Sequence, residues 1–426
     1  MTQVTAWEQV QEQCPDVRKV DLLVGLPTFD HASTVEPVVK AIVAGLEASF
    51  SRASILLVNA DAGSQDGTPE MVKGAVGGSL PVALVQHVTG SMFSNPFAHL
   101  RLSESGVPAR EQAFRAFFTI AEELQANACI VIDANLRSVT PEWIERLARP
   151  VLEKEADYVA PLFQRQRYEG SLTNSLIAPL TRALYGKRIA CQTGGGYGFS
   201  GKQASLYLQR DVWEGDAARF GIDSWLTTVA VAEGSNVWQA FLGTKVQDTK
   251  ASGLDVSTVL AQAVGASYHY MERYQDVWEK QMGSSPVPTS GPSYEFGSES
   301  VAINVERMVR GFRQGLRDLL PIWEMILAPE TLAGILPLGL VDEDGFRFPI
   351  PLWVQIIYDF ALAYRDKVIH REHLLKSLTP LYLGRTASLV LETKDGGPEE
   401  IERTIEQVCE WFENLKPYLV GRWRFQ

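Results

Sequence analysis

The sequence predicts an α/β fold, a doubly wound and mostly parallel sheet over residues 1–250, followed by a mostly helical C-terminal domain over residues 251–426. Three observations predict it. Four short apolar runs, at 20–26, 55–58, 82–88 and 129–132, alternate with amphipathic stretches of helical length, which gives four βα units in succession. The second run passes into a polar turn, NADAGSQDGT, and then into Pro69-Glu70, so a strand leads through a Gly- and Asp-rich turn into a helix. Beyond about residue 254 strand-like runs give way to the 3.6-residue periodicity of helices.

The elements follow in order. Residues 1–18 form a short polar helix or a lead-in. The run VDLLVGL at 20–26 is the first strand; Pro27-Thr28-Phe29-Asp30-His31 ends it, and a helix runs from Thr34 to about Phe50. After the strand at 55–58, Thr68 suits an N-cap with Pro69 at the first helical position. A third strand lies at 82–88, and the aromatic stretch 92–101 reads as an irregular loop. Residues 105–124 contain a helix with Ala113, Phe117, Ile120 and Leu124 on its apolar face. The strand at 129–132 ends in Asp133-Ala134-Asn135. Then come a helix at 141–153 entered at Thr140, a strand at 158–164, a loop with Arg165 and Arg167, and a helix at 172–185. A glycine-rich segment at 194–201, a helix at 224–233 after Phe220-Gly221-Ile222-Asp223, and a strand at 237–242 complete the first domain. Residues 283–300, rich in Ser, Pro and Gly, form a linker. Helices follow near 300–327, 351–366, 371–392 and 398–415. The stripe Trp353, Ile356, Ile357, Phe360 and Tyr364 suits helix core or a homodimer surface.

The bulk numbers exclude several classes of function. A net charge of -12 leaves no broad nucleic-acid surface. The four cysteines are scattered without a CxxC pair, so neither a zinc site nor a disulfide framework is indicated. The first residues lack an apolar signal core and no run is long enough to span a bilayer, so a cytoplasmic protein is expected. No Walker A lysine motif and no GxGxxG follow the first strand, which argues against a P-loop enzyme and a dinucleotide dehydrogenase.

Two carboxylates, Asp61 and Asp133, stand at the ends of parallel strands, beside Pro27-Thr28 at the end of the first. Open α/β sheets bind ligands at that edge. A carboxylate there can accept a base N–H, and acidic or amide oxygens can hold a cation against a diphosphate. Asp61 and Asp66 equally suit turn and cap positions, Asp133 and Asp223 suit helix caps, Arg165 and Arg167 suit surface ion pairs, and glycines 194–196 suit a plain turn.

Leu26-Pro27-Thr28, then Asp61-Ala62-Gly63-Ser64-Gln65-Asp66-Gly67-Thr68, then Ile132-Asp133-Ala134-Asn135 resemble three successive motifs of the GT-A glycosyltransferases, (I/L)PT, DDGSxDGT and DxD. Most of the chain resembles the glucosyl-3-phosphoglycerate and mannosylglycerate synthases. Asp133 to Arg137 is similar to their DSDLR-like segment, 191–202 (CQTGGGYGFSGK) to their QPLAGEYAGR-like loop, and Phe220-Gly221-Ile222-Asp223 to their GxGI(D/E) segment. The resemblance implies a retaining transferase of GT-A fold, moving glucose or mannose from a nucleotide-sugar donor to a small anionic acceptor such as glycerate or 3-phosphoglycerate. It implies donor binding by Pro27, Thr28, Asp61, Gly63, Asp133 and Asn135, and acceptor binding by Arg165, Arg167, Gly195 and Gly196. Asp223 would act beside the reacting sugar, and a divalent metal, Mg²⁺ or Mn²⁺, would sit at Asp133, Asn135 and Gln247.

The chain also departs from the pattern. The last Asp of DxD is Asn135, and the later His falls on Gln247 beside Asp248. The GKG lysine that in the family faces the diphosphate falls near Gly106-Val107-Pro108, where Arg110 would be its substitute although Arg and Lys are not interchangeable, and the Glu of the AGE-like loop is replaced by glycine or Tyr197. Amide oxygens hold Mg²⁺ less strongly than carboxylates. A second reading therefore keeps the nucleotide pocket and drops the chemistry, giving a nucleotide-sugar-binding or scaffold protein. A nucleotidyltransferase is a third, which the lack of a basic Gly-rich loop after the first strand disfavours.

Overall fold

Strand β1, Leu22–Thr28, is buried along its whole length, as a strand inside a parallel sheet must be. On one side it pairs in parallel with β2, Ile55–Asp61, beyond which lies β3, Val82–Gln86. On the other side it pairs in parallel with β4, Ala128–Ile132. The chain is known here from a computed structural model that describes residues 4–87, 107, 109–164, 168, 170–190, 194–210, 213, 221–247, 256–292, 303–343 and 345–424. The 92–101 loop of the sequence reading lies outside them, as do Arg165 and Arg167.

The chain divides into two compact units. The sheet unit comprises 1–164, 191–254 and 287–294; the helical unit comprises 165–190, 255–286 and 295–426. A boundary near 250 therefore differs from this division at two excursions. Residues 165–190 leave the sheet unit early, and 287–294 return to it.

In the sheet unit, β5 (Tyr158–Gln164), β7 (Gly196–Ser200), β8 (Val237–Thr244) and β10 (Thr289–Ser290) extend the sheet in the order β10-β8-β5-β7-β4-β1-β2-β3. Strand β7 is antiparallel to both β4 and β5; the remaining pairs are parallel. The glycine-rich segment at 194–201 is thus largely a central strand, and the linker at 283–300 supplies an edge strand. The glycines of β7 answer to packing: a Cβ on Gly198 would meet the Leu147 carbonyl oxygen at 2.4 Å, so only glycine lets the following layer approach. Helix α2 (Val35–Phe50) and helix α5 (Pro141–Leu152) place Val38, Val39, Ile42, Leu46, Ile144 and Leu147 in the main core with the strand residues Leu22, Val24 and Ile130. Helix α4, Arg110–Glu123, packs on β1 so closely that a Cβ on Gly25 would lie 2.8 Å from the Phe117 ring.

In the helical unit, β6 (Lys187–Arg188) and β9 (Ser285–Pro286) form a short parallel pair after helix α6, Ala178–Tyr185. Arg182 of α6 bonds Glu406 and Glu413 on the helix Pro398–Asn414. Lys416 donates to the carbonyls of Ala183, at 2.7 Å, and Leu184, at 3.3 Å, which α6 leaves open at its end, and to that of Gln281 at 2.7 Å. The stripe Trp353, Ile356, Ile357, Phe360 and Tyr364 lies on the helix Ile350–Asp366 and is buried in the core of this unit, so it offers no free surface. No helix among the described residues is long and apolar enough to cross a membrane.

Candidate functional site

The sheet order reverses between β1 and β4, and there the two ladders differ in length. The β1–β2 ladder runs to the pair Thr28 and Asp61, whereas the β1–β4 ladder stops at Gly25 and Val131. Pro27 has no N–H with which to extend pairing toward β4. The strands therefore part at their carboxyl ends, where open α/β sheets hold ligands.

On the β2 side of this opening Asp61 organises a turn. Its Oδ1 accepts the Thr28 hydroxyl at 2.7 Å and the Ser64 hydroxyl at 2.6 Å. Its Oδ2 accepts the N–H groups of Gly63 at 2.9 Å and Ser64 at 2.7 Å. Two donors on each oxygen fill a carboxylate's capacity. Asn59 reaches back from β2 to the Thr28 hydroxyl, at 2.8 Å, and to the Leu26 carbonyl, at 3.0 Å. Gly63, at φ +95°, supplies the left-handed backbone the turn needs. The turn is then tied to the loop after β1: Asp30 accepts the Gln65 N–H at 2.8 Å, and Asp66 accepts the Ala32 N–H at 2.9 Å.

Thr68 is not the N-cap of the next helix, α3 (Thr68–Val76), but its first residue. Gly67 holds the cap position, and Asp66 accepts the Thr68 N–H at 3.1 Å and hydroxyl at 2.5 Å. Burial works against the Asp66 charge, but the Thr68 hydroxyl and the N–H groups of Ala32 and Thr68 together hold its carboxyl below the ordinary range.

On the β4 side stands a buried ionic cluster. Arg110, the first residue of α4, donates through Nη2 to Asp133 Oδ1 at 2.6 Å and through Nη1 to Asp223 Oδ1. The Arg110 side chain is 2% exposed, that of Asp133 6% and that of Asp223 14%. The Tyr197 hydroxyl, on β7, donates to Asp223 Oδ1 at 2.8 Å and accepts the Gly194 N–H at 3.1 Å. Asp223 sits in the first turn of helix α8, Ile222–Ala232. Burial would weaken the Arg110 charge, but Asp133 and Asp223 on either side hold it firmly protonated. Burial pushes the Asp133 carboxyl above its ordinary range, with Arg110 opposing and Asp223 adding to the rise. The Tyr197 phenol is pushed well up, first by burial and then by Asp223.

Gly195 closes over Asp133. At φ +80° its carbonyl accepts the Asp133 N–H at 2.7 Å, and a Cβ there would lie 2.4 Å from Asp133 Oδ2. A Cβ on Gly196 would meet Leu242 at 3.1 Å. The close approaches of these two glycines are thus to the protein's own side chains. Asn135 is buried, and Gln247 forms an antiparallel bridge with Leu136, so the two amides flank the end of β4. Lys245 lies over the Phe163 ring at 5.9 Å, and its charge joins that of Arg110 in opposing the rise at Asp133.

The structure thus brings Pro27, Thr28, Asp61 and Gly63 together on one side of the opening, and Asp133, Asn135, Gly195, Asp223 and Gln247 on the other. The joining of Asp223 to Asp133 through Arg110 and Tyr197 was not anticipated. A signal existed: Arg110 shares a helix face with the buried Phe114, Phe117 and Phe118, and a buried arginine requires a carboxylate partner.

No known family profile matches the chain, and no curated protein matches it. Among solved structures it is similar to glucosyl-3-phosphoglycerate synthase from Mycobacterium tuberculosis, with 17% identity and a TM-score of 0.41 over 60% of this chain and 81% of that one. The same enzyme in complex with Mn²⁺, uridine diphosphate and phosphoglyceric acid gives 16% identity and a TM-score of 0.41, over 64% and 84% of the chains. With Mn²⁺, UDP-glucose and phosphoglyceric acid it gives 17% and 0.38, over 60% and 80%. At that depth of likeness, the chemistry of this chain has to be read from its own residues.

Proposed function

We propose that the chain is a retaining GT-A glycosyltransferase that moves glucose or mannose from a nucleotide-sugar to a small anionic acceptor of the glycerate or 3-phosphoglycerate class. The observation that carries this reading is the meeting, at one switch point of the sheet, of the preformed Asp61 turn and the Arg110–Asp133–Asp223 cluster.

In this reading the Asp61 turn is the nucleotide side. Its carboxylate already holds four donors, so its main work is to fix the loop that faces the base and ribose. The diphosphate lies toward Asp133, and the sugar toward Asp223. Asp223 Oδ1 is committed to Arg110 and Tyr197, while Oδ2 takes no hydrogen bond from the described residues and suits a sugar hydroxyl. The resemblance assigns the acceptor to Arg165, Arg167, Gly195 and Gly196, and arginine suits a small anion because it grips a carboxylate or phosphate bidentately.

Transfer proceeds on one face of the sugar. The C1–O bond to the diphosphate breaks with its electron pair going to the phosphate oxygen. The acceptor hydroxyl oxygen bonds to C1, and its proton passes to that same phosphate oxygen. The protein positions the partners and steadies the departing charge.

The amides at Asn135 and Gln247, with Asp133 already ion-paired, favour the second reading of a binding protein that has lost transfer. A thermal-shift panel of UDP-, GDP- and ADP-sugars tests the site. At a concentration of 100 times Kd, a bound nucleotide adds about 2.7 kcal/mol, a rise of roughly 5 °C or more in Tm. A panel in which no nucleotide shifts the transition refutes the site. UDP-glucose and phosphoglyceric acid, the compounds held by the solved neighbours, are the first pair for a transfer assay. Binding without transfer across the acceptor and donor panel supports the second reading.

A further inference from the structure

The three positions to which the resemblance assigns a divalent cation fit one poorly. Asp133 is their only carboxylate, and its Oδ1 is bonded by Arg110 at 2.6 Å. A Cβ on Gly195 would lie 2.4 Å from its Oδ2, so the Gly195 backbone closes that side of the second oxygen. A divalent ion on this carboxylate would share it with a guanidinium of like charge, and like charges repel most where water is excluded. The other two positions are neutral amides, Asn135 and Gln247, which attract a hard cation less than carboxylates do. Among the described residues no group of three His, Cys, Asp or Glu side chains stands ready to hold a metal.

Positive charge is nonetheless present. Arg110 is locked between Asp133 and Asp223, and its Nε–H, also buried, finds no hydrogen-bond partner among the described residues. Lys245, half-buried just past the end of β8, opens the segment that pairs with the chain after Asp133: the Val246 carbonyl accepts the Arg137 N–H at 2.8 Å, and Gln247 bridges Leu136. Before any ligand arrives, one buried guanidinium thus bridges two carboxylates, and a second cation stands on the neighbouring segment.

Resting on the nucleotide-sugar reading above, we propose that this cation is built into the chain: Arg110 occupies the metal's place on Asp133, and with Lys245 it supplies the charge that faces a nucleotide diphosphate, so that donor binding needs no divalent ion. Lys245 is the residue that touches the diphosphate. Arg110 positions Asp133 and Asp223 and neutralises them.

The experiment is titration calorimetry of UDP, GDP and ADP into the full chain, in excess EDTA and again in saturating Mn²⁺, with free Mn²⁺ followed by electron paramagnetic resonance. The expected result is one nucleotide whose Kd agrees within about twofold between the two conditions. Protein added to the Mn²⁺–nucleotide mixture should then leave the free-Mn²⁺ signal unchanged. Lys245→Met, at a half-buried site where folding should survive, should weaken that nucleotide by about tenfold or more in both conditions, the worth of a charge-assisted contact. Binding that appears only with Mn²⁺ overturns the inference and leaves the functional reading standing. An unchanged Kd in Lys245→Met overturns the part given to Lys245. Binding in neither condition overturns the functional reading, and the inference with it.

Discussion

Replacing Arg110 with methionine keeps the bulk of the side chain beside Phe114 and removes its charge, so the variant isolates the ionic cluster. The parent guanidinium is 2% exposed, and its partners Asp133 and Asp223 are 6% and 14% exposed. Removing one member of a buried pair costs about 3–5 kcal/mol, because the remaining charge is left without compensation. Here two carboxylates lose the same partner. Asp223 keeps the Tyr197 hydroxyl and some solvent, so the larger share falls on Asp133. Asp133 can respond by taking up a proton, and the sign of the pH dependence follows from that. Burial raises its folded pKa above the unfolded value of about 3.9, so the folded state binds more protons across that window and stability falls as pH rises through it. The deficit of Arg110→Met should therefore be small near pH 4 and reach about 3–5 kcal/mol at neutral pH. With two compact units in the chain, a global transition is a poor gauge. Urea titration followed by hydrogen exchange in the peptides covering β1 and β4 reports the sheet unit itself. Adding Asp133→Asn to Arg110→Met should return about 2 kcal/mol, a coupling expected only of groups in contact. A cost below about 1 kcal/mol for Arg110→Met, or no recovery in the double variant, would refute the description of this cluster as a buried, mutually compensating set.

Further expectations concern single features. Gly195→Ala places a Cβ 2.4 Å from Asp133 Oδ2 at a φ of +80°, so it should cost roughly 2–4 kcal/mol in the same exchange assay and displace Asp133 from Arg110; a neutral effect would mean that this strand can shift freely. Asp61→Ala removes the acceptor for four donors in the turn and should weaken whichever nucleotide binds by about tenfold to a hundredfold, as read by calorimetry; parent-like affinity would remove the turn from the site. In the helical unit, burial lowers the Lys416 pKa to about 8 from the usual lysine value of about 10.4, with Glu413 opposing. The folded state releases this proton first, so stability of that unit should rise with pH between about 8 and 10.4, and Lys416→Met should flatten that slope in urea titrations of the two proteins.

Much of the fold was legible because apolar runs bounded by turns report buried parallel strands, and β1, β2, β4 and β5 are such runs. Strand β7 was not. Its sequence, GYGFS, has no β-branched residue, and its glycines serve close packing against Leu147 and Val159 rather than announcing a strand. The reach of the helical unit back to 165–190 was equally hidden, since helix α6 looks the same in sequence whichever unit buries it. In the candidate site, the places of Asp61 and Asp133 at strand ends were legible. The pairing of Asp133 with Arg110, which stands 23 residues earlier, and with Asp223 through that arginine follows from tertiary packing and has no local signature. Likewise the DAGSQDGT turn showed its residue types, but the filling of every acceptor position on Asp61 depends on how Thr28 and Ser64 are brought to it by different parts of the chain.

That filled carboxylate has a kinetic consequence. The loops after β1 and β2 are joined by the Asp30 and Asp66 contacts as well as by Asp61, so the backbone of the proposed nucleotide side is ordered before anything binds. A ligand arriving there has little loop entropy to remove and no slow rearrangement to await. Association should follow a single exponential whose rate stays linear in ligand concentration, and chemically related nucleotides should differ chiefly in how long they remain rather than in how fast they enter.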